Sequence, residues 1–191
     1  MREILYSQLG KIKDLEIRKF VEQALDKSDK DFWEIPCSMT GKHHPPENQG
    51  EEGNIRHLIK CLLVTEKLCD YFSLSKKDND IVLASVFLHD IKKHGEPWSD
   101  KTDYEHGKIA SDWLEQFELR EPEKTEIRNC VRYHMYKYTG TKEDIERASC
   151  PTRKELIMQL ADFFSSLKEV SWLPGINVKE EDIKNFLENL K

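Results

Sequence analysis

Histidines and aspartates recur through this chain at a spacing of about one potential metal ligand per predicted helix. The residues of this kind are His57, the adjacent His89 and Asp90, His106, His134 and Asp162. Imidazole nitrogens and carboxylate oxygens together suit first-row divalent metals such as Mn, Fe, Ni, Co or Zn. Because the set contains no cysteine, it differs from the ligand sets of structural zinc fingers. The residue types therefore favour a metal site of another kind.

Both aspartates of this set lie in strongly apolar stretches of the sequence. Asp90 closely follows the run from Ile81 to Leu88, which is apolar on nearly all faces and therefore indicates a buried helix. Asp162 lies between Ala161 and Phe163 in a second apolar helix. A buried carboxylate without a partner is costly, and a metal ion removes that cost. The two aspartates are thus expected to share a positive partner.

The elements that position these residues are predicted to be helices. Apolar residues recur with helical periodicity nearly everywhere, and no alternating strand pattern of useful length is present. Asn54, Asp78 and Asn177 are the predicted caps of three helices, and Thr152 with Glu155 forms a predicted capping box. The predicted helices span 4–25 (one or two helices), Asn54 to about Phe72, Asp78 to His89–Asp90, Asp103 towards Phe117, Pro122 towards Tyr136, Thr152 to about Val170 and Asn177 to about Leu190.

A long irregular segment precedes the first ligand helix. Prolines and glycines concentrate between Phe32 and Gly53, which predicts a loop rather than a helix. Loops of this length in compact domains are usually functional or disordered. Lys42, His43 and His44 carry cationic or protonatable groups suited to a phosphate. The segment is either a surface loop or, because it leads directly into His57, a lid or a substrate contact, and we favour the second interpretation.

Composition narrows the class of protein. The 191 residues include 36 acidic and 30 basic ones, which gives a net charge of −6. This acidic balance argues against binding to extended nucleic acid. Five scattered cysteines without a C-x-x-C pair fit neither a disulfide framework nor a structural zinc site. Without a signal peptide or an apolar run of about 20 residues, we expect a cytoplasmic protein with no membrane partner.

The order of the ligand-type residues resembles the HD superfamily of metal-dependent phosphohydrolases. The stretches that carry the resemblance are "IRHLIKCLLV", "ASVFLHDIKKHG", "DYEHGKIASDWL", "VRYHMYKY" and "MQLADFFSSL". An HD dipeptide alone is weak evidence. Here an apolar helix ends in H-D-x-x-K, with R-H upstream and A-D downstream in another apolar helix, which makes the resemblance specific.

The resemblance implies an all-α HD-domain helical bundle and a ligand set. It divides the chain into N-terminal helices and loop (1–53), an HD core (54–170) and a C-terminal helix (171–191), all in one domain. It assigns one metal to His57, His89, Asp90 and Asp162. It assigns a second metal to His106 and His134, as in the binuclear branch, with Asp90 bridging the two. Mn, Fe, Ni, Co, Zn and Mg are the candidate ions.

The implied activity is hydrolysis of a phosphate ester by a water that bridges two metals. Asp90 and Lys93 are the catalytic candidates, and Lys93 matches the lysine of H-D-x-x-K. Substrate-binding candidates are Lys93, Lys42, His44 and Arg132. We expect a phosphatase or phosphodiesterase that acts on a small phosphate compound, with a nucleotide or cyclic nucleotide as the expected substrate. The sequence has no signature of an oligomeric state.

Departures from the motifs of named subfamilies leave the substrate open. The sequence after His134, "MYKYTG", lacks the second histidine and the G-Y-P motif of cyclic-di-nucleotide members. Lys93 and His94 stand where stringent-response hydrolases carry an acidic pair, and deoxynucleoside-triphosphate hydrolases usually have histidine at the position of Lys93.

Two other classes of function fit the same residues. A minority of binuclear members hold a di-iron centre and use dioxygen, so an HD-type oxygenase is the first alternative. Iron content with oxygen consumption and no phosphate release would favour it. A nucleotide-sensing binding domain is the second alternative. Full biological activity in a His89→Ala variant would favour a sensor.

Overall fold

The computed structural model describes residues 1–38, 44, 46–135, 138 and 141–167, and in these ranges the chain is helical without strands. The α-helices are α1 (Arg2–Ser7), α2 (Leu15–Asp26), α3 (Lys30–Glu34), α4 (Gly53–Tyr71), α5 (Lys76–Leu88), α6 (His106–Trp113), α7 (Glu123–Arg132), α8 (Lys142–Ala148) and α9 (Arg153–Ser166). Short 3₁₀ turns lie at Gln8–Lys11, Pro46–Asn48 and Leu114–Gln116. The all-α prediction is confirmed.

Helix α5 is the centre of the bundle. It packs against α2, α4, α7 and α9, while α4 also packs along α9 and α6 along α7. Every residue from Asp80 to Leu88 is buried, as the uniformly apolar run predicts. The C-terminal end of α5 therefore lies in the interior, where the other helices converge on it. No helix in the described part of the chain is long and apolar enough to cross a lipid bilayer.

Ser75, rather than Asp78, caps helix α5. The Ser75 side chain accepts a hydrogen bond from the Asp78 backbone N–H, so Asp78 is the third residue of the first turn. Ser75 has extended backbone angles, which suit the residue before a helix. The prediction that Asp78 is the cap was wrong because the sequence offers two capping residues three positions apart. Asp78 instead pairs with Lys154 of α9 at 2.7 Å.

Helix α4 begins one residue before the predicted Asn54. Glu52 takes a left-handed backbone conformation (φ 58°) and its N–H donates to Glu34 O at 3.1 Å. This turn starts the helix at Gly53, and Asn54 becomes a buried residue of the first turn rather than the cap. The prediction of an Asn54 cap was therefore wrong, although the helix itself lies where expected.

The last described helices match the predicted ones, except that the structure contains one helix that was not predicted. The capping box of Thr152 and Glu155 is confirmed, because each side chain accepts from the other's backbone N–H. Helix α8, capped by Thr141, was not predicted. The predicted helix from Asn177 to about Leu190 lies outside the described residues.

The strap, defined here as residues 35–38, 44 and 46–52, is tied to the entrance of α4. Cys37 N–H donates to Asn48 O at 2.9 Å, and Asn54 N–H donates to Ile35 O at 3.0 Å. Gly53 lies against this crossing so closely that an added Cβ would come within 2.1 Å of Asn48 O. The strap thus requires glycine at the first residue of α4.

We predict that Gly53→Ala destabilises the fold by about 3 kcal/mol, because the new methyl group must displace backbone atoms rather than a flexible side chain. The measurement is urea unfolding monitored by circular dichroism. Gly10→Ala is the matched control, since an added Cβ there meets nothing within 4 Å. Equal stability of the two variants would contradict this account of the strap.

Candidate metal centre

The structure brings the six ligand-type residues together at the inner end of α5. His57 comes from α4 and Asp162 from α9, while His89 and Asp90 directly follow α5. His106 is the first residue of α6, and His134 lies just beyond the end of α7. All but the partly exposed Asp162 are buried. Five separate elements therefore supply one cluster.

Asp90 is the centre of this cluster. Its Oδ1 lies 3.1 Å from His106 Nε2 and 3.9 Å from His134 Nε2. Its Oδ2 lies 3.5 Å from His89 Nε2 and 2.5 Å from Lys93 Nζ. Each oxygen of one carboxylate thus faces a different group of side chains.

Asp162 holds the other side of the cluster. Its Oδ1 lies 2.9 Å from His57 Nε2 and 3.8 Å from His89 Nε2. The donor atoms therefore fall into two groups that meet at Asp90. One group contains His57, His89 and Asp162, and the other contains His106 and His134.

Backbone carbonyls fix the orientation of three imidazoles. The Nδ1 atoms of His89, His106 and His134 lie 2.9, 2.5 and 2.7 Å from the carbonyl oxygens three residues earlier. A carbonyl only accepts, so each Nδ1 carries the proton and each Nε2 presents a lone pair to the cluster. This is the arrangement in which an outer hydrogen bond orients a metal-ligating histidine.

The inward-facing nitrogens fit a bound cation. Nε2 of His106 lies 3.1 Å from Nε2 of His134, so in the neutral, Nδ1-protonated rings two lone pairs would face each other across a buried space. Nε2 of His89 is buried without a hydrogen-bond partner among the described residues. Buried acceptors grouped with carboxylates are costly unless a positive charge lies between them.

Metal ligation requires neutral imidazoles and ionised carboxylates, and His89, His134 and Asp90 meet this condition. His57 differs, because Cys37, Cys61 and Asp162 raise its pKa although burial alone would lower it. Burial, with His89 and His106 nearby, lowers the pKa of His134 to about 3. Burial also lowers the pKa of His89. Burial alone would raise the pKa of Asp90, but Lys93, His89 and His106 hold it well below its ordinary value.

Lys93 forms an ion pair with Asp90 within the cluster. Its ammonium is buried and bonded to Asp90 Oδ2, one turn earlier in the chain. Burial alone would lower the pKa of Lys93, yet the neighbouring Asp90 raises it above its ordinary value. Lys93 therefore stays charged beside the ligand-type residues, as the H-D-x-x-K spacing predicts.

The other substrate-binding candidates are placed differently. Arg132 donates Nε to Asp144 Oδ1 at 2.9 Å, and its guanidinium lies over the Tyr133 ring. His44 packs edge-on against His57, with ring centroids 5.0 Å apart. Burial, with His57 nearby, lowers the pKa of His44 to about 3, so it is not a cation at neutral pH. Lys42 lies outside the described residues.

Two cysteines beside the cluster were not singled out from sequence. Cys61 Sγ lies 3.4 Å from His57 Nε2, one helical turn along α4. The i,i+4 spacing of His57 and Cys61 on a predicted helix is the signal that could have identified this contact. Cys37 reaches His44 and His57 from the strap. No sequence signal predicts that Cys37 lies beside these histidines, because irregular backbone brings it to them.

The comparisons with known proteins identify the family. Residues 54–167, more than half of the chain, match the family profile described as HD domain. The chain belongs to the HD domain family, a superfamily of metal-dependent hydrolases, and the resemblance seen in the sequence is confirmed. The comparison with curated proteins gave no match, and neither did the comparison with solved structures.

We predict that Gly107→Ala weakens binding of a second metal equivalent by about tenfold or more, as loss of a supporting contact does at metal sites. An added Cβ would lie 3.0 Å from Val131 O, the carbonyl that orients His134, and 2.8 Å from Arg132 O. Isothermal titration with Mn²⁺ measures the effect, and Gly10→Ala is the control. Two equivalents with unchanged affinity would contradict it.

We predict that the chelator-treated protein loses stability as the pH falls from about 6.5, the ordinary pKa of histidine. The folded-state pKa of His134 is about 3, so between these values the unfolded chain binds the extra proton. By pH 5 one such group costs about 2 kcal/mol. His44 and His89 shift in the same direction.

The other groups do not reverse this trend. The pKa values of Asp90 and Asp162 are lowered, so their contribution is lost only near pH 4 and below. Burial alone would lower the pKa of His57, but Cys37, Cys61 and Asp162 raise it, so its contribution is already full below 6.5. Urea unfolding at several pH values measures the slope. It should decrease in His134→Gln and stay unchanged in Cys130→Ala, which loses packing on α7 but no imidazole.

Proposed function

We propose that this protein is a metal-dependent phosphohydrolase that acts on a small phosphate ester, with a nucleotide or cyclic nucleotide as the substrate class. The observation that carries the proposal is the position of Asp90. Its two oxygens face two separate groups of ligand-type side chains, at 3.1 Å from His106 and 3.5 Å from His89. One carboxylate between two such groups suits two cations that share a ligand.

The proposal assigns a role to each residue of the cluster. His57, His89 and Asp162 would hold one divalent cation, His106 and His134 would hold the other, and Asp90 would bind both. Two cations held in this way would supply Lewis acidity and a water of lowered pKa for attack on phosphorus. The carbonyl bonds to Nδ1 would keep Nε2 of these imidazoles aimed inward.

Lys93 is the proposed contact for the substrate phosphate. Its ammonium lies 2.5 Å from Asp90 Oδ2 and is buried, so it carries a positive charge beside the cluster. A cation fixed there before the reaction would neutralise a non-bridging phosphate oxygen without reorganising in the transition state.

The charge of the site differs from the charge of the chain. The chain carries a net charge of −6, which would repel an anionic substrate. Two divalent cations would outweigh the carboxylates of Asp90 and Asp162, and Lys93 adds to the excess. The loaded site would therefore attract a small anion despite the acidic surface.

The single domain inferred from sequence and a cytoplasmic location are parts of the same proposal. Cys37 and Cys61 lie beside His57 as free thiols, which suits a reducing compartment.

The experiment is phosphate release from a panel of nucleotides and phosphodiesters by protein loaded with Mn²⁺, Ni²⁺, Co²⁺ or Mg²⁺. We predict that Asp90→Asn abolishes release and lowers metal content, and that Lys93→Met lowers kcat/KM by about 100-fold while metal content stays unchanged. Lys92→Met is the matched control, because the neighbouring Lys92 pairs with Asp29 and Glu96 instead and should keep its activity.

Two results would contradict the proposal. Iron content with oxygen consumption and no phosphate release would assign the chain to the di-iron oxygenases. Tight nucleotide binding without turnover under any metal would assign it to the sensors.

A further inference from the structure

A group of potential ligands that contains sulfur lies on the strap side of His57. Cys37 Sγ is 3.0 Å from Nδ1 and 3.5 Å from Nε2 of His44. The His44 ring stands edge-on to the His57 ring at 5.0 Å. One ligand atom from each of Cys37, His44 and His57 lies within 4.8 Å of the others. This group shares only His57 with the cluster around Asp90.

The strap holds these side chains in place through its backbone. Cys37 N–H donates to Asn48 O at 2.9 Å, and Gln49 Nε2 donates to His44 O at 3.1 Å. Cys37 is buried, and Gly53 leaves no room for the crossing of the strap to shift. The pairing of the thiol with the imidazole is therefore built into the fold.

The ligand types differ from those around Asp90. One sulfur and two imidazoles favour thiophilic ions such as Zn²⁺ and Co²⁺ over Mg²⁺ and Mn²⁺, which prefer oxygen. Bond lengths of about 2.3 Å to sulfur and 2.0 Å to nitrogen separate these atoms by about 3.5 Å in a tetrahedron. Cys37 Sγ and His44 Nδ1, at 3.0 Å, would need to part by only about half an ångström.

We propose that Cys37, His44 and His57 form a binding position for a thiophilic divalent cation. The ion links the strap to helix α4 and leaves one coordination position open. His57 Nε2 also lies 2.9 Å from Asp162, and a neutral imidazole offers one lone pair, so an ion at this position competes for His57 with the cation proposed among His57, His89 and Asp162. The proposal does not depend on phosphohydrolase activity. The competing explanation is a hydrogen bond between the Cys37 thiol and His44 that binds no ion.

The test is titration of the chelator-treated, reduced protein with Co²⁺, followed by near-ultraviolet absorption. Only a cobalt–thiolate bond gives the sulfur-to-cobalt charge-transfer band, so ions bound by histidine and carboxylate alone do not contribute. We expect this band in the wild type, rising to a plateau as Co²⁺ is added, and its displacement by Zn²⁺ but not by Mg²⁺.

Variants assign the band to one cysteine. We expect Cys37→Ser to lose it and His44→Ala to bind Co²⁺ at least about tenfold more weakly, with circular dichroism checking that both fold. Cys150→Ser, at an exposed cysteine, is the matched control and should keep the band. Absence of the band in the wild type, or its persistence in Cys37→Ser, would overturn the proposal. Its loss in Cys61→Ser but not in Cys37→Ser would assign the thiolate to α4 and also overturn it.

Discussion

The carboxylate of Asp90 is buried at the inner end of a helix that is itself buried on all sides, and the surrounding elements are arranged to stabilise its charge. Lys93 bonds to one oxygen, and His106 lies against the other. Removing one partner of such a buried charge lowers the free energy of unfolding by about 3–5 kcal/mol, so the loss of either neighbour would destabilise the fold. Helix α7 packs against α5 and helix α6 packs along α7, and this brings His106 and His134 to the same carboxylate.

The second constraint is the direction of the imidazoles. Three of them donate Nδ1–H to a carbonyl one turn earlier, which leaves unprotonated nitrogens facing inward. In the neutral rings these nitrogens are acceptors that lie beside the carboxylates, an arrangement that a bound cation would stabilise. Gly107 permits it, since any larger residue would press on the carbonyl that orients His134. The backbone geometry at Gly107 therefore helps to fix the direction of a ligand-type side chain.

Much of this arrangement could be predicted from the sequence because its signals are local. The apolar run before Asp90 predicted a buried α5, and the resemblance to the HD superfamily implied that the histidines and aspartates meet. The box of Thr152 and Glu155 needs only neighbouring residues and was confirmed. Contacts made through irregular backbone could not be predicted. Cys37 reaches His44 because the strap crosses itself at Asn48, and Arg132 turns to Asp144 of the unpredicted helix α8.

The central claim is that Asp90 lies between two cation positions. A crystal structure of the protein with Mn²⁺, with anomalous scattering recorded at the manganese edge, tests it most directly. The account predicts two anomalous peaks, one among His57, His89 and Asp162 and one beside His106 and His134, with one Asp90 oxygen bound to each ion. A single peak, or two peaks that do not share Asp90, would contradict it.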